Sequence, residues 1–302
     1  MKSPPVWLRT SPALFVFLWS TGFIGATYGL PYAEPWTFLA YRFAIVVVLL
    51  AGFSVITGAP WPSTPKACLQ NAFVGVLIHG IYLGGVFAAI SRGMPTGLAA
   101  LVIGLQPALT AIAARPVLGE RVSRLQWLGI LLGFSGLVLV VGNKAVSGGT
   151  TGWQPDGPAL ALNLAALLAI TAGSIYQKAY LPHQNIRTGT TWQYVGGFAV
   201  VFAVALMIED GRVEWTGDFI FAMSWLVIVL SLGAVSLLML IIRHGDVSRI
   251  ASLFYLVPPV TAVLAYFLFG ETLNAVQIAG MAVTTFGVAL VNRRATAGDK
   301  EK

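Results

Sequence analysis

The sequence predicts an all-α membrane protein with ten transmembrane helices in two inverted five-helix repeats. Three observations predict this fold: a composition too apolar for a soluble protein, an internal repeat, and an uneven distribution of positive charge. Hydrophobic residues make up 57% of the 302-residue chain and charged residues only 10%. This leaves too little polar surface to cover a soluble protein of this length. The apolar segments are therefore expected to lie in lipid.

The second half of the chain repeats the first half at a constant offset of 151 positions. The longest ungapped match pairs residues 105–140 with residues 256–291. It aligns a proline, a glycine-glutamate pair and a glutamine: Pro107 with Pro258, Gly119-Glu120 with Gly270-Glu271, and Gln126 with Gln277. Chance similarity between apolar segments does not align these residue types, so the chain contains a structural repeat.

Each repeat holds five apolar segments, which at roughly 17–25 residues can cross the hydrocarbon core as helices. They cover residues 13–30, 36–56, 68–90, 95–117 and 125–141, and then 158–179, 189–208, 219–242, 248–269 and 275–291. We assign the first repeat to residues 10–142 and the second to residues 158–294. Residues 143–157 are rich in glycine, threonine and proline and are expected to form an external linker.

An odd number of spans per repeat makes the second repeat enter the membrane from the opposite side, so the repeats are inverted. With a cytoplasmic N-terminus, fourteen of the 18 lysines and arginines lie inside, and only Arg42, Arg92, Lys144 and Arg212 lie outside. Lysine and arginine collect in cytoplasmic loops. We therefore expect a multi-pass protein of the cytoplasmic (inner) membrane with both termini in the cytoplasm. These loops also account for the net charge of +7, so we expect no nucleic-acid partner.

The combination of ten spans, two inverted repeats, Pro107 and Pro258 within the fourth and ninth spans, and a Gly-Glu pair after each resembles the EamA-type transporters of the drug/metabolite transporter superfamily. The resemblance covers residues 10–294. It implies a carrier of small metabolites, amino acids among them, and many proteins of this type are exporters. We therefore interpret the chain as a secondary transporter that exports a small metabolite or amino acid by alternating access. Its substrate site is expected near the membrane midplane between the repeats.

The expected substrate contacts are polar or aromatic residues at midplane depth: Trp19, Tyr82, Gln106, Tyr176 and Tyr255. Each offers a π surface, an amide or a hydroxyl, and a few such groups suffice to orient a ligand in an apolar pocket.

Two prolines lie in the middle of predicted spans, where proline removes a backbone donor and breaks the helix. We interpret Pro107 and Pro258 as hinges beside a cavity, with inert kinks as the alternative.

Two ionisable side chains lie deep in predicted spans and are functional candidates for that reason. Arg42 either anchors the chain at the outer surface or contacts a substrate carboxylate. His79 is either a neutral buried side chain or a proton-coupling group, because histidine titrates near neutral pH.

Two further patterns predict structural roles. Glu120 and Glu271 are expected to stabilise the first turn of the helix that follows each of them. Small residues recur on one face of the fifth and tenth spans: Gly129, Gly133 and Gly136, and Gly280, Thr284 and Gly287. Such faces allow helices to pack closely, either within one chain or in a homodimer.

Two other function classes remain open, a passive channel for small solutes and an intramembrane serine protease. The protease would use Ser135, within a Gly-x-Ser-Gly motif, as nucleophile and His79 as base; however, Ser135 aligns with Phe286 in the second repeat. The sequence has no phosphate-binding loop and no H-E-x-x-H motif, and Cys68 is its single cysteine. We expect no catalytic residues, no metal and no cofactor, and the expected partners are a small-molecule substrate and the lipid bilayer.

Overall fold

The computed structural model describes residues 6–118, 123–147, 156–182, 184–234, 237 and 254–293. Its helices are α1 (Val6–Gly29), α2 (Pro35–Ile56), α3 (Pro65–Ser91), α4 (Thr96–Ile103), α5 (Gln106–Leu118), α6 (Arg124–Ser147), α7 (Gly157–Tyr180), α8 (Ile186–Ile208), α9 (Gly217–Ala234), α10 (Val257–Phe269) and α11 (Ala275–Arg293). The part of the chain that the structure describes contains no β-strand, only an isolated bridge between Ala33 and Val213.

The described helices provide the ten predicted crossings. Eight segments are long and apolar enough to span a membrane, and α4 and α5 share one of them, Thr96–Ala113. The remaining two crossings are the shorter apolar helices α10 and α11. The inner parts of the predicted spans 219–242 and 248–269 lie partly outside the described residues. The predicted fold class is confirmed.

The helices of the two repeats begin at equivalent positions. In four pairs of helices, the first residues lie 151 positions apart: Val6 and Gly157, Pro35 and Ile186, Gln106 and Val257, and Arg124 and Ala275. Equivalent starts do not require the same local signal, because Pro35 opens α2 whereas the side chain of Asn185 caps the start of α8. One boundary differs from the prediction, because α6 continues to Ser147 and so enters the predicted linker 143–157. The segment 143–147 contains no helix breaker, and two glycines follow it.

Two pairs of equivalent helices pack against each other and run antiparallel. At one end of the α2–α8 pair, the carboxylate of Glu209, just after α8, accepts hydrogen bonds from the backbone N–H groups of Trp36 (3.0 Å) and Thr37 (2.7 Å) at the start of α2. At the other end, Arg187 at the start of α8 donates to the hydroxyl of Thr57 after α2 (2.8 Å). Antiparallel pairing of repeat-equivalent helices means that the repeats are inverted.

Helices α6 and α11 form a second antiparallel pair, and their glycines bring the two backbones into contact. A Cβ atom added at Gly280 would lie 2.8 Å from the carbonyl oxygen of Gly136 and 2.8 Å from Cγ2 of Val140. One turn further along α11, Thr284 donates to the carbonyl of Gly133 (3.2 Å). The predicted close packing through small residues is confirmed within one chain, and a homodimer through these faces stays a prediction.

Loops that were predicted on the same side of the membrane contact one another. On the predicted outer side, the backbone of Glu34 bonds to that of Arg212 (3.4 Å), and Arg92 forms an ion pair with Asp156 (2.7 Å). On the predicted inner side, Thr188 donates to the carbonyl of Pro60 (2.7 Å). The two sets of loops therefore form two separate ends of the helix bundle.

The α6–α11 contact predicts a selective effect of volume. Gly280→Leu should lower the thermal midpoint of the purified protein, because the added side chain meets backbone and overpacking costs on the order of 1–3 kcal/mol. Gly52→Leu is the matched control, since a Cβ atom at Gly52 meets nothing within 4 Å. The measurement is thermal unfolding in detergent, and equal midpoints for both variants would contradict the packing assignment.

Candidate functional site

A cavity of about 420 Å³ lies between the two repeats. Several residue pairs related by the 151-residue offset line it together: Arg42 with Gln193, His79 with Leu230, and Pro107 with Pro258. A cavity lined by equivalent residues lies on the approximate two-fold axis that relates inverted repeats. This is where a substrate reached from both sides is expected to bind.

The two prolines predicted as hinges meet at this cavity. Helix α4 ends at Ile103 and α5 begins at Gln106, so the fourth crossing is broken just before Pro107. Gly104 lies in the break, and a Cβ atom there would be 2.7 Å from Cγ of Pro258 in α10. A broken backbone at membrane depth is tolerated where it lies against protein or lines a cavity, and this break does both. The hinge role itself stays a prediction.

Three of the five predicted substrate contacts line the cavity: Trp19, Tyr82 and Gln106. The indole of Trp19 packs edge-on against Phe254, with 5.4 Å between ring centroids. The side-chain amide of Gln106 donates to the hydroxyl of Thr110 one turn along α5 (3.1 Å). The cavity wall is thus apolar and aromatic, with a small number of polar groups, as in most small-molecule sites.

The other two predicted contacts are placed differently. Tyr176 does not line the cavity and packs against Phe73 and Tyr180, with centroid distances of 5.0 and 4.6 Å. The reason is helical phase: positions 170, 174 and 177 of α7 share the face that lines the cavity, and a residue between them points elsewhere. The side chain of Tyr255 lies outside the described residues, and its contact with substrate stays a prediction.

Arg42 lies inside the protein beside the cavity, and its side chain does not reach the outer surface. The residue is 2% exposed, and its Nη2 donates to the hydroxyl of Ser231 (3.0 Å). The hydroxyl of Tyr194 donates to the same oxygen (3.1 Å). Arg42 lies about 10 Å along α2 from Pro35. This geometry disfavours the interpretation of Arg42 as a surface anchor.

His79 lies on an irregular turn of α3 that borders the cavity. The turn is a π-helix over Val76–Ile81, and α9 contains a second π-helix over Trp225–Ala234, at an overlapping position of the other repeat. The imidazole stacks on the ring of Tyr194 at a centroid distance of 4.1 Å. Both of its ring nitrogens are buried without a hydrogen-bond partner among the described residues. Single π-helical turns are frequent at functional sites.

Close contact between α3 and α8 positions this part of the wall. Gly75 lies against the backbone of Gln193, and Gly196 lies against the backbone of Ala72. A Cβ atom at Gly197 would be 2.6 Å from Cβ of His79. Small residues therefore let the two helices approach until His79 and Gln193 reach the same cavity.

Four polar lining residues were not identified from the sequence: Thr190, Gln193, Tyr194 and Ser231. A signal for Gln193 was present, because it is the residue 151 positions after Arg42. Applying the offset to each candidate would have found it. Ser231 aligns with Gly80, so the repeat gives no such signal for its hydroxyl.

The prediction for Glu271 was wrong about which helix it stabilises. Its carboxylate accepts hydrogen bonds from the backbone N–H groups of Thr96 (2.8 Å) and Gly97 (3.2 Å), at the start of α4. The following helix has its own cap, in which Asn274 and Gln277 exchange side-chain to backbone hydrogen bonds of 2.9 and 3.0 Å. Glu120, its counterpart, lies outside the described residues.

The residues of the protease hypothesis are not brought together at the cavity. His79 lines the cavity, whereas Ser135 is exposed on α6 and is not a lining residue. Its neighbours Gly133 and Gly136 pack against α11. The motif is thus explained by helix packing.

Comparison with known proteins agrees with this architecture. The model of the EamA-like transporter family matches residues 12–142 and 157–293. The uncharacterized inner membrane transporter YedA of Escherichia coli is 26% identical over 92% of this chain and 88% of its own. A probable amino-acid metabolite efflux pump of Salmonella typhimurium is 26% identical over 91% of both chains.

A plant relative and a solved structure extend the similarity. A WAT1-related chloroplastic protein of Arabidopsis thaliana is 25% identical over 91% of this chain and 67% of its own. A crystal structure at 19% identity covers 99% of this chain and 100% of its own with a TM-score of 0.66, which shows a shared fold. Both repeats match the family model, and the chain therefore belongs to the EamA-like transporter family.

Proposed function

We propose that this protein is a secondary transporter that exports a small metabolite or amino acid across the cytoplasmic membrane by alternating access. The observation that carries the proposal is the cavity built from equivalent residues of two inverted repeats. When such repeats exchange conformations, the cavity opens to one side and then to the other around a fixed site. The family and the names of its relatives support transport, and one of these relatives is named as a probable efflux pump.

The cavity has the size and character of a small-molecule site. Its volume of about 420 Å³ lies within the range of roughly 300–1,000 Å³ that is usual for ligand pockets. Its aromatic wall suits an apolar body, and its few polar groups suit one polar end. A passive channel is the second candidate, but a channel needs a continuous pore. The break of the fourth crossing at Gly104, packed against Pro258, favours a gated site.

Transport and site are tested together. Cells and proteoliposomes loaded with a panel of radiolabelled amino acids and metabolites should lose the cargo faster with the protein than without it. Gln106→Ala and Tyr255→Ala should lower flux and binding together, because a lost polar contact costs on the order of 1–3 kcal/mol, or roughly five- to 150-fold in affinity. Ser135→Ala should do neither.

Three results would count against parts of this proposal. Wild-type binding in both cavity variants would remove Gln106 and Tyr255 from the site. An inserted but inactive Ser135→Ala protein would favour the protease hypothesis. Efflux that shows no acceleration by unlabelled cargo on the opposite side of the membrane, and no saturation, would favour the channel.

The orientation is tested by fusions. We expect alkaline phosphatase to be inactive and a fluorescent protein to be active when fused after Arg294, because fourteen of 18 positive residues lie on the side of the termini in this topology. Phosphatase inserted within residues 148–155 should be active. The opposite pattern would reverse the assignment of inside and outside.

Proton coupling is tested at His79. If this side chain exchanges protons during transport, His79→Gln should flatten the dependence of flux on external pH while insertion is unchanged. The change Phe43→Leu, at a ring that packs edge-on against the imidazole of His79 (5.9 Å between centroids) and does not line the cavity, serves as a control for altered packing. A wild-type pH profile in His79→Gln would return His79 to a structural role.

A further inference from the structure

Buried polar atoms without partners are concentrated at the cavity. Ten buried side-chain nitrogen or oxygen atoms of the described residues lack a hydrogen-bond partner, and five of them belong to Arg42, His79 and Gln193. All three residues line the cavity. Burying a polar group without a partner costs free energy, so the cavity is the place where this protein leaves hydrogen-bonding capacity for a ligand.

Among these buried groups, the guanidinium of Arg42 is the most costly to leave without a partner, because it carries a charge. A guanidinium stays protonated in proteins, and Nε and Nη1 of Arg42 are buried without an acceptor among the residues that the structure describes. Among the described side chains the recorded ion pair is between Arg92 and Asp156, far along the chain from Arg42. A buried cation without an anion is unfavourable at membrane depth. A ligand that carries a negative charge would supply the missing partner.

Ser231 and Tyr194 complete the arrangement around this cation. The oxygen of Ser231 accepts hydrogen bonds from both Arg42 and Tyr194, so its own hydroxyl hydrogen is available to a further acceptor. A carboxylate is an acceptor with two oxygens, and its hydrogen bonds to arginine are both charge-assisted and directional. The cluster thus offers guanidinium and hydroxyl donors on one side of the same cavity wall.

The described part of the remaining wall gives no corresponding partner for a positive group. None of the described residues that line the cavity is an aspartate or a glutamate. An ammonium group there would meet no carboxylate and would share the cavity with Arg42, and like charges repel strongly where water is excluded. Gln106 and Ser174, two other polar side chains that line the cavity, are neutral. The side-chain amide of Gln106 already donates to Thr110 within α5 (3.1 Å) and to Ser174 (3.5 Å).

We propose that Arg42, Ser231 and Tyr194 form a carboxylate-binding subsite, and that the cargo is a small organic acid with an aliphatic or aromatic body and no ammonium group. This inference rests on the proposed function, because it names the substrate class of the same cavity. It also predicts an order of preference among molecules of one carbon skeleton. The free acid should bind best, the corresponding amino acid less well and the uncharged amide least.

The test is calorimetric binding to the full-length protein purified in detergent. The probes are 3-phenylpropionate, phenylalanine and 3-phenylpropionamide, followed by 4-methylpentanoate, leucine and 4-methylpentanamide. For at least one skeleton, we expect saturable binding of the acid and roughly ten- to a hundredfold weaker binding of its amide, the range that a charge-assisted hydrogen bond provides.

The decisive variants copy residues that the other repeat already uses. Arg42→Gln places in α2 the residue found at the equivalent position 193, and Ser231→Gly places in α9 the residue found at position 80. Arg42→Gln should abolish the preference for acid over amide, and its thermal midpoint without ligand should be no lower than that of the wild type, because it removes an unpaired buried cation. Arg187→Gln, at an exposed arginine bonded to Thr57, should leave the preference intact.

Four outcomes overturn the inference: equal affinity for acid and amide, tighter binding of the amino acid than of the acid, a preference for the acid that survives Arg42→Gln, or no binding of any acid. If the efflux experiment with radiolabelled compounds finds a cargo while acids do not bind, the carboxylate subsite fails and the transporter proposal stands. If acids bind through Arg42 but no flux is found, the subsite stands and the transporter proposal fails.

Discussion

The structure depends on the antiparallel packing of two helices of the first repeat, α2 and α6, against their counterparts in the second repeat, α8 and α11. Backbone contact between α6 and α11 at Gly136 and Gly280 requires the absence of side chains on both helices. The α2–α8 pair is held instead at its ends, where Glu209 and Arg187 reach the terminus of the partner helix. Because both pairs cross the boundary between repeats, they define the axis on which the cavity lies.

The repeats give the cavity a symmetric shape and an asymmetric chemistry. Proline lies on both sides of the axis, at Pro107 and Pro258, and it breaks or begins a helix in both places. In contrast, Arg42 aligns with Gln193 in the other repeat, and His79 aligns with Leu230. The shared features concern how the backbone bends, whereas the divergent features concern what the cavity holds. Movement and recognition are thus separable in this architecture.

The sequence predicted the fold well because the signals were long or duplicated. Apolar spans and a constant offset are properties of many residues at once, so single errors do not change the result. The sequence singled out Arg42, His79, Trp19 and Gln106 because such side chains stand out at membrane depth whichever way a helix is rotated. All four line the cavity, and their contact with substrate stays a prediction. Tyr176 does not line the cavity and packs against Phe73 instead. The sequence alone does not specify which face of α7 turns toward the cavity, because that rotation depends on how the helix packs.

The contact of Glu271 with α4 shows why other features were out of reach. Its two partners lie about half a chain length away, and no local rule distinguishes a distant helix start from the adjacent one. The hydrogen bond from Arg42 to Ser231 is of the same kind, since it joins residues of different repeats. Such contacts follow from how the repeats are docked, which span length and charge do not specify.

The alignment of Arg42 with Gln193 has a consequence for how such a protein arises. Two separate copies of a single repeat, assembled as an antiparallel dimer, would present the same residue twice across the axis. Two arginines in a 420 Å³ cavity would repel each other, and two glutamines would carry no charge at all. Joining the copies in one polypeptide lets each wall mutate independently. A repeat joined in one polypeptide can therefore carry a one-sided electrostatic field without loss of the symmetric scaffold.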